Sequence, residues 1–443
     1  MDALAEAVIS GAPPSELENV AVPSLYTAAH LRKDQTEIFR GVADKDVRKS
    51  LNVGTVRMPR LAPDEVLIAT MAGSISHDTV SAATFEPRPT FDLLERLGGQ
   101  GGFDQRHDQA FHAIGSDAAG VIVRVGSTVR RWKVGDHVVV AGAWVDSQEP
   151  GTHMDGMLST EQRTWGLETN YGGLGHYSVA RADQILPKPP HLTWEEAASG
   201  TLCATTAYRM LVGEHGARVK QGDIVLIWGA AGGLGSFAVQ LVRNAGGIAV
   251  GVVSSEEKAR QLTELGCDVV INRSELGLDE PGRDTAELGR RLGKVIRSKV
   301  GEDPHIAVDT TGRATFGISV FVVRRGGVVV TCGSDSGDWH NFDNRYLWMN
   351  LKRVIGSNIA NYQEAWDCNR LFTLGRLSPV LSRTFPLADV GEAARLVQSN
   401  QHLGKVGVLC LAAEEGLGVT DPGLRARIGE RKLTPFRSRA LAG

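Results

Sequence analysis

The run Val225-Leu226-Ile227-Trp228-Gly229-Ala230-Ala231-Gly232-Gly233-Leu234-Gly235 sets an apolar segment against a turn of glycines and small side chains, and Ser236 to Leu241 continue it as a helix. Glycines let backbone approach a pyrophosphate, and the first turn of the helix offers it unpaired N–H groups. Gly229, Ala231, Gly232, Gly233, Leu234 and Gly235 are therefore candidate dinucleotide contacts. A second apolar run, Ile248 to Val253, begins about 20 residues after the turn, where an NAD site would place Asp or Glu on the ribose 2′-hydroxyl. Ser254 and Ser255 stand there instead. A carboxylate would repel a 2′-phosphate, whereas two hydroxyls with Lys258 and Arg260 can hold one, so the residue types favour NADP over NAD. Glu256 and Glu257 oppose this preference without cancelling it. A tight turn with no ligand is the bland alternative; the placement between two strands at this distance favours the nucleotide.

Composition narrows the class. The 443 residues have room for two or three domains and a large core. The formal charge of −3 is spread along the chain with no basic block, so neither nucleic acid nor an anionic membrane is an expected partner. Cys203, Cys267, Cys332, Cys368 and Cys410 are far apart and form no Cys-x-x-Cys pair, which argues against a disulfide framework and against a structural zinc lobe. Residues 1–13 have neither a basic region nor a hydrophobic run, and no later segment approaches about 18 apolar residues. A cytoplasmic enzyme with reduced thiols is the expectation.

These residues need a frame. From Thr55 to about Pro190 short strands alternate with turn residues, among them Glu65 to Ala69, Gly120 to Gly126 and Gly135 to Val140, which predicts a β-rich, barrel-like domain. From Leu192 helices alternate with buried strands at Ile224 to Trp228, Ile248 to Val253, Val269 to Ile271, His305 to Asp309, Gly327 to Thr331 and Val354 to Ile355. That pattern predicts a doubly wound parallel sheet. After Tyr362 two helix patterns (Tyr362 to Leu374, Val390 to Asn400) lead to a strand at Lys405 to Leu411, which completes the first domain. The expected fold is α/β: a catalytic domain of residues 1–198 and 359–443, with a Rossmann dinucleotide-binding domain, 199–358, inserted. Residues 1–50 and 414–443 read as polar flanks that wrap the surface or meet another subunit.

The two domains in this order resemble the medium-chain dehydrogenase/reductase superfamily, which makes the first GroES-like. Its zinc branch uses a catalytic Cys and a Gly-His-Glu motif, and neither stands in the first domain; isolated His107, His112 and His176 read as structural or surface residues. No metal is expected. Within the superfamily the chain resembles the crotonyl-CoA carboxylase/reductases over nearly its whole length. The matching text includes Phe85-Glu86-Pro87, Gly115-Ser116-Asp117-Ala118-Ala119-Gly120-Val121, the segment Glu161 to Asn170, Leu192 to Ala198, the glycine turn, Asp343 to Met349, Leu351-Lys352-Arg353 and Gly404 to Cys410. Members add a hydride from NADPH to the β-carbon of a 2-enoyl-CoA, and the enolate takes up CO2 at its α-carbon. They assemble as tetramers from pairs of dimers.

The resemblance assigns roles and also departs from the pattern. The family holds CO2 with an Asn of Asn-Tyr-Asn, an aromatic and a Glu in Trp-Gly-Phe-Glu-Thr, and a His in Gly-Ser-His-Phe-Ala; this chain has Ser76-His77-Asp78, Leu167, Glu168 and Asn358. Only Glu168 is kept. The family's Glu-His-Pro-Gly is replaced by Asp309-Thr310-Thr311-Gly312. The implied reaction is NADPH-dependent reduction of a 2-enoyl-CoA or related acyl thioester without carboxylation, His77 or Asp78 supplying the proton that replaces CO2 and Glu168 orienting water or substrate. Thr205 would contact the nicotinamide ribose or amide, and Arg345, Tyr346, Lys352 and Arg353 the CoA nucleotide, unless that basic cluster is only a solvated face. Two rivals stand: a true reductive carboxylase with a rearranged pocket, and an NADPH-binding protein that has lost reduction. A homo-oligomer, dimer or tetramer, is expected, since the apolar edge near Val354-Ile355 is otherwise left unpaired.

Overall fold

Strand Glu65–Ile75 has no solvent face: all eleven of its residues are buried. The reason is its place in a seven-stranded sheet, where it pairs with Ala118–Val125, with Lys405–Leu409 and with Tyr177–Arg181, all antiparallel. A strand buried on both faces reads as a run of small and branched residues rather than an alternation. The computed structural model describes residues 1–277 and 284–437. In it the chain divides into two units, Met1–Leu202 with Asn361–Gly443, and Cys203–Ala360.

The first unit is the GroES-like, β-rich part, and the return of the chain from 361 onward supplies two of its sheet strands, Leu381–Pro386 and Lys405–Leu409. Its larger core packs Ile75, Phe85, Leu94, Ile114 and Leu174 with Val390, Val397, Val406 and Val408. Burying each such side chain contributes about 1.5–3 kcal/mol. The polar-flank reading fails here. Residues 3–9 form a helix that buries Leu4, Ala5, Ala7 and Val8, capped by Asp2; Leu25–Arg32 is a sheet strand; and Phe436 is buried in the tail. Residues 438–443 of the expected flank lie outside the described residues. The reading of 55–190 as strands alone also needs correction, because His77–Thr84 and Phe91–Gly98 are helices.

The second unit is a parallel six-stranded sheet in the order Val269–Asn272, Ile248–Val253, Ile224–Ile227, Ile306–Val308, Val328–Thr331, Arg353–Gly356. The order reverses at Ile224–Ile227, and in sheets of this kind ligands bind at such a reversal, beyond the carboxyl ends of the strands. Its core joins Leu226, Val250, Ala307 and Val329 to Leu292 and Ile296 of helix Thr285–Val300. The last strand, Arg353–Gly356, is an edge and is largely exposed. Among the described residues no helix is long and apolar enough to cross a membrane.

Candidate active site

In the second unit the glycine turn follows Ile224–Ile227 directly and opens helix Gly233–Asn244. Gly229 sits at φ +60°, a left-handed conformation that side chains with a Cβ rarely adopt. A Cβ on Gly235 would come within 2.4 Å of Gly229 O, so helix and turn pack backbone against backbone. Gly232 caps the helix with extended geometry and no side-chain bond, leaving the first-turn N–H groups to a ligand. This geometry fits a pyrophosphate.

Ser254 and Ser255 end strand Ile248–Val253, and both are partly exposed. Ser255 Oγ accepts Lys258 N–H at 3.3 Å and so caps helix Glu256–Leu265, while Glu256 and Glu257 are exposed in its first turn. Lys258 is held below its ordinary pKa, first by burial and then by the nearby positive charge of Arg273. Two cations beside two hydroxyls suit a 2′-phosphate. The sequence reading missed Arg273; a cation just after the third strand of the sheet was the available signal. Thr205 is buried on helix Thr201–Leu211. Asp309 holds the turn and the helix after it together, since it accepts bonds from Thr311 N–H, Gly312 N–H, Thr315 Oγ1 and Ser319 Oγ, and Ser319 accepts from Trp228 Nε1.

The candidate substrate residues of this unit differ in what they can do. Arg345 is exposed and engaged by Asp343 at 2.6 Å, Tyr346 packs edge-on against Phe321, and Arg353 is exposed on the edge strand. Lys352 is otherwise employed. Its Nζ donates to Val320 O at 2.8 Å and Phe321 O at 2.9 Å, at the end of helix Phe316–Val322, and burial lowers its pKa to about 8. Asn358 is exposed after the edge strand.

In the first unit, Ser76 is the N-cap of helix His77–Thr84, which puts His77 and Asp78 in its first turn. They diverge. His77 is exposed, its ring 6.3 Å from that of buried His402. Asp78 turns inward: its carboxylate accepts Thr79 N–H at 2.6 Å and a bond from Ser116 Oγ. Burial pushes its carboxyl above the ordinary range, against the opposing effects of the Ser116 bond and of Lys405. Next to it Asp117, Ser74, Ser76 and Lys405 make one hydrogen-bonded group. Glu168 Oε2 accepts Thr164 N–H at 2.7 Å, and Leu167 packs on the larger core. Among the described residues no group of three or more His, Cys, Asp or Glu could hold a metal ion.

Comparison with known proteins matches these two parts to two family descriptions: "alcohol dehydrogenase GroES-like domain" over residues 62–190, and "zinc-binding dehydrogenase" over residues 233–372. Crotonyl-CoA reductase of Streptomyces collinus is 48% identical over 423 residues, covering 94% of each chain, and crotonyl-CoA carboxylase/reductase of Cereibacter sphaeroides is 37% identical over 83% of this chain and 86% of its own. The chain belongs to the crotonyl-CoA carboxylase/reductase family. Members of this family are NADPH-dependent enoyl-thioester reductases. Among solved crotonyl-CoA carboxylase/reductase relatives, the 2-octenoyl-CoA carboxylase reductase CinF in complex with NADP and 2-octenoyl-CoA superposes with a TM-score of 0.96 at 58% identity, covering 98% of this chain and 99% of that one. The enzyme AntE in complex with NADP gives 0.80 at 34% identity, over 89% and 96%.

Proposed function

We propose that this member of the family reduces a 2-enoyl-CoA, or a related unsaturated acyl thioester, with NADPH, and that the α-carbon receives a proton instead of CO2. Bound NADPH supplies the hydride for the β-carbon. The glycine turn holds the pyrophosphate; Ser254, Ser255, Lys258 and Arg273 hold the 2′-phosphate; Thr205 meets the nicotinamide ribose or amide. Arg345, Tyr346 and Arg353 face the CoA nucleotide, with Lys352 bracing the helix end behind them.

The observation that carries the reading is the Asp78 carboxyl, inward, raised in pKa and bonded by Ser116, at the position where the resemblance puts a CO2-binding amide. A carboxylic acid there can donate: its O–H bond breaks as the α C–H bond forms, and the carboxylate regains a proton from solvent. His77 is exposed and less suited to a dry site. Glu168, fixed by Thr164 N–H, orients water or the thioester. Leu167 and Asn358 in place of the aromatic and the histidine withdraw further CO2 contacts.

Reductive carboxylation is the rival reading, and the likeness to CinF, a carboxylase reductase, supports it. Mass analysis of the product formed from an enoyl-CoA and NADPH separates them. The saturated acyl-CoA with or without bicarbonate is expected; an alkylmalonyl-CoA as the main product with bicarbonate establishes the rival.

Assembly as a homo-oligomer is part of the proposal. Among the described residues the edge strand Arg353–Gly356 has no partner on one side, and Trp348, Met349, Leu351 and Val354 are exposed on or just before it. Light scattering checks this: a clean monomer at micromolar concentration contradicts it.

A further inference from the structure

The two carboxyls of the first unit's polar cluster, Asp117 fully and Asp78 partly buried, differ in that only Asp117 has a cation in direct contact. Asp117 is fully buried; its Oδ1 accepts Leu202 N–H at 2.7 Å, and its Oδ2 accepts Ser74 Oγ at 2.8 Å and Lys405 Nζ at 3.0 Å. Lys405, at the start of strand Lys405–Leu409, is only 2% exposed and also donates to Ser76 Oγ. Asp78 is bonded by neutral donors: Ser116 Oγ, Thr79 N–H at 2.6 Å and Thr79 Oγ1 at 3.3 Å. Ser116 and Asp117 are adjacent in sequence, and Ser76 N–H donates to Thr79 Oγ1 at 3.4 Å, so one scaffold fixes both carboxyls.

We propose that Asp117 and Lys405 form a mutually neutralising buried pair that leaves Asp78 as the protonated acid of the cluster, which makes both of them positioning residues for proton delivery. The inference rests on reading Asp78 as the donor. One buried cation cannot support two buried carboxylates, and the direct contact goes to Asp117. With its charge matched by Asp117, Lys405 leaves the protonation of Asp78 to burial, which favours the neutral acid and outweighs the bonds from Ser116 and Thr79 that favour the carboxylate.

Among the described residues, no other charge around helix His77–Thr84 makes a contact that would bring Asp78 a second cation. On its own first turn His77 is exposed, with His402 behind it. At its far end Glu86 pairs with Lys45. On helix Val390–Gln398, packed against it, Glu392 pairs with Arg48 at 3.2 Å and Arg395 with Asp44 at 2.9 Å, and Lys49 of the neighbouring turn is exposed. On helix Trp194–Ala198, which covers the same sheet, Glu196 meets Arg425 at 2.7 Å and Glu195 meets Arg437 at 3.4 Å.

The test is the pH profile of kcat/KM for saturated-product formation from crotonyl-CoA and NADPH in the full-length enzyme. Asp117→Asn leaves Lys405 unmatched, so Asp78 should ionise earlier and the alkaline limb should move down by at least one pH unit, a tenfold loss on the limb. Lys405→Met should move it up. The double variant, neutral again, should return it near its original place. If all three variants lose thermal stability while the limb stays put, the pair is merely structural and the inference is overturned. Should Asp117→Asn fail to fold, the infrared carboxyl spectrum of the unaltered enzyme, read against Asp78→Asn, decides: a protonated-carboxyl band at neutral pH that disappears in Asp78→Asn supports the pair, and a spectrum from which Asp78→Asn removes no such band overturns it. Asp78→Asn also separates the two claims. Unchanged turnover and profile in that variant sink the donor reading and this inference with it, whereas a lost limb there with no shift in Asp117→Asn sinks this inference alone.

Discussion

The glycine turn of the second unit and the acid cluster of the first are built on different principles. The nucleotide part is backbone chemistry: a left-handed glycine, a helix start and a turn too close for a Cβ, with side chains proposed for the 2′-phosphate and the nicotinamide. The acid part is side-chain chemistry, two carboxyls and one ammonium enclosed among serines. A backbone site tolerates substitution wherever both size and backbone conformation permit. A buried charge cluster fails when any one charge goes unmatched; on the proposed reading, an acid in place of an amide within it delivers the proton that replaces CO2.

That contrast predicts where stability and binding separate. The largest effect should come from breaking the buried pair: Asp117→Ala or Lys405→Ala is expected to lose about 3–5 kcal/mol in denaturant titrations, because the partner is left charged and buried. An equal loss from Lys258→Ala would erase the distinction, since Lys258 should matter to the ligand and little to the fold. In cofactor titrations followed by fluorescence, Lys258→Ala is expected to weaken NADPH by about 1–3 kcal/mol and leave NADH nearly unchanged, with Arg273→Ala in the same direction. Equal affinity of the unaltered enzyme for the two cofactors contradicts the 2′-phosphate assignment.

A smaller effect sharpens the comparison from the acid side. His112 is fully buried between Thr90 Oγ1 at 2.8 Å and Thr169 O at 3.2 Å, and burial lowers its pKa to about 4 despite the backbone bond. The unfolded chain takes up a proton there between pH 6.5 and 4 that the folded chain refuses. Stability from this group is therefore complete above pH 6.5 and is lost as pH falls through that window. His191, also lowered to about 4, adds a second proton. Melting temperatures from pH 7 to 4.5 should fall progressively in the first unit, and His112→Gln should flatten the slope; an unchanged slope contradicts a neutral buried imidazole.

The same contrast explains what was legible in the sequence. The glycine turn and the second strand are contiguous, so their spacing carried the Rossmann fold and the phosphate chemistry together. Arg273 escaped because it arrives from a third strand. The acid cluster joins Ser74 to Asp117 across 43 residues and Lys405 to Asp117 across 288, and no local pattern announces that meeting. Asp78 was visible only as a departure from a family motif; Lys405 and Asp117 were visible only as family text without a role. The flanks hide their packing because the helix Ala3–Ile9 is too short for its apolar stripe to stand out, and the tail is anchored by isolated residues, Leu433 and Phe436.

The central claim is that a proton has taken the place of CO2, and product partition tests it most directly. With crotonyl-CoA, NADPH and saturating bicarbonate, the unaltered enzyme should give mainly the saturated acyl-CoA. The combined variant Ser76→Asn, Asp78→Asn, Leu167→Phe, Asn358→His should shift the ratio toward the alkylmalonyl product. Mostly carboxylated product from the unaltered enzyme would contradict the account.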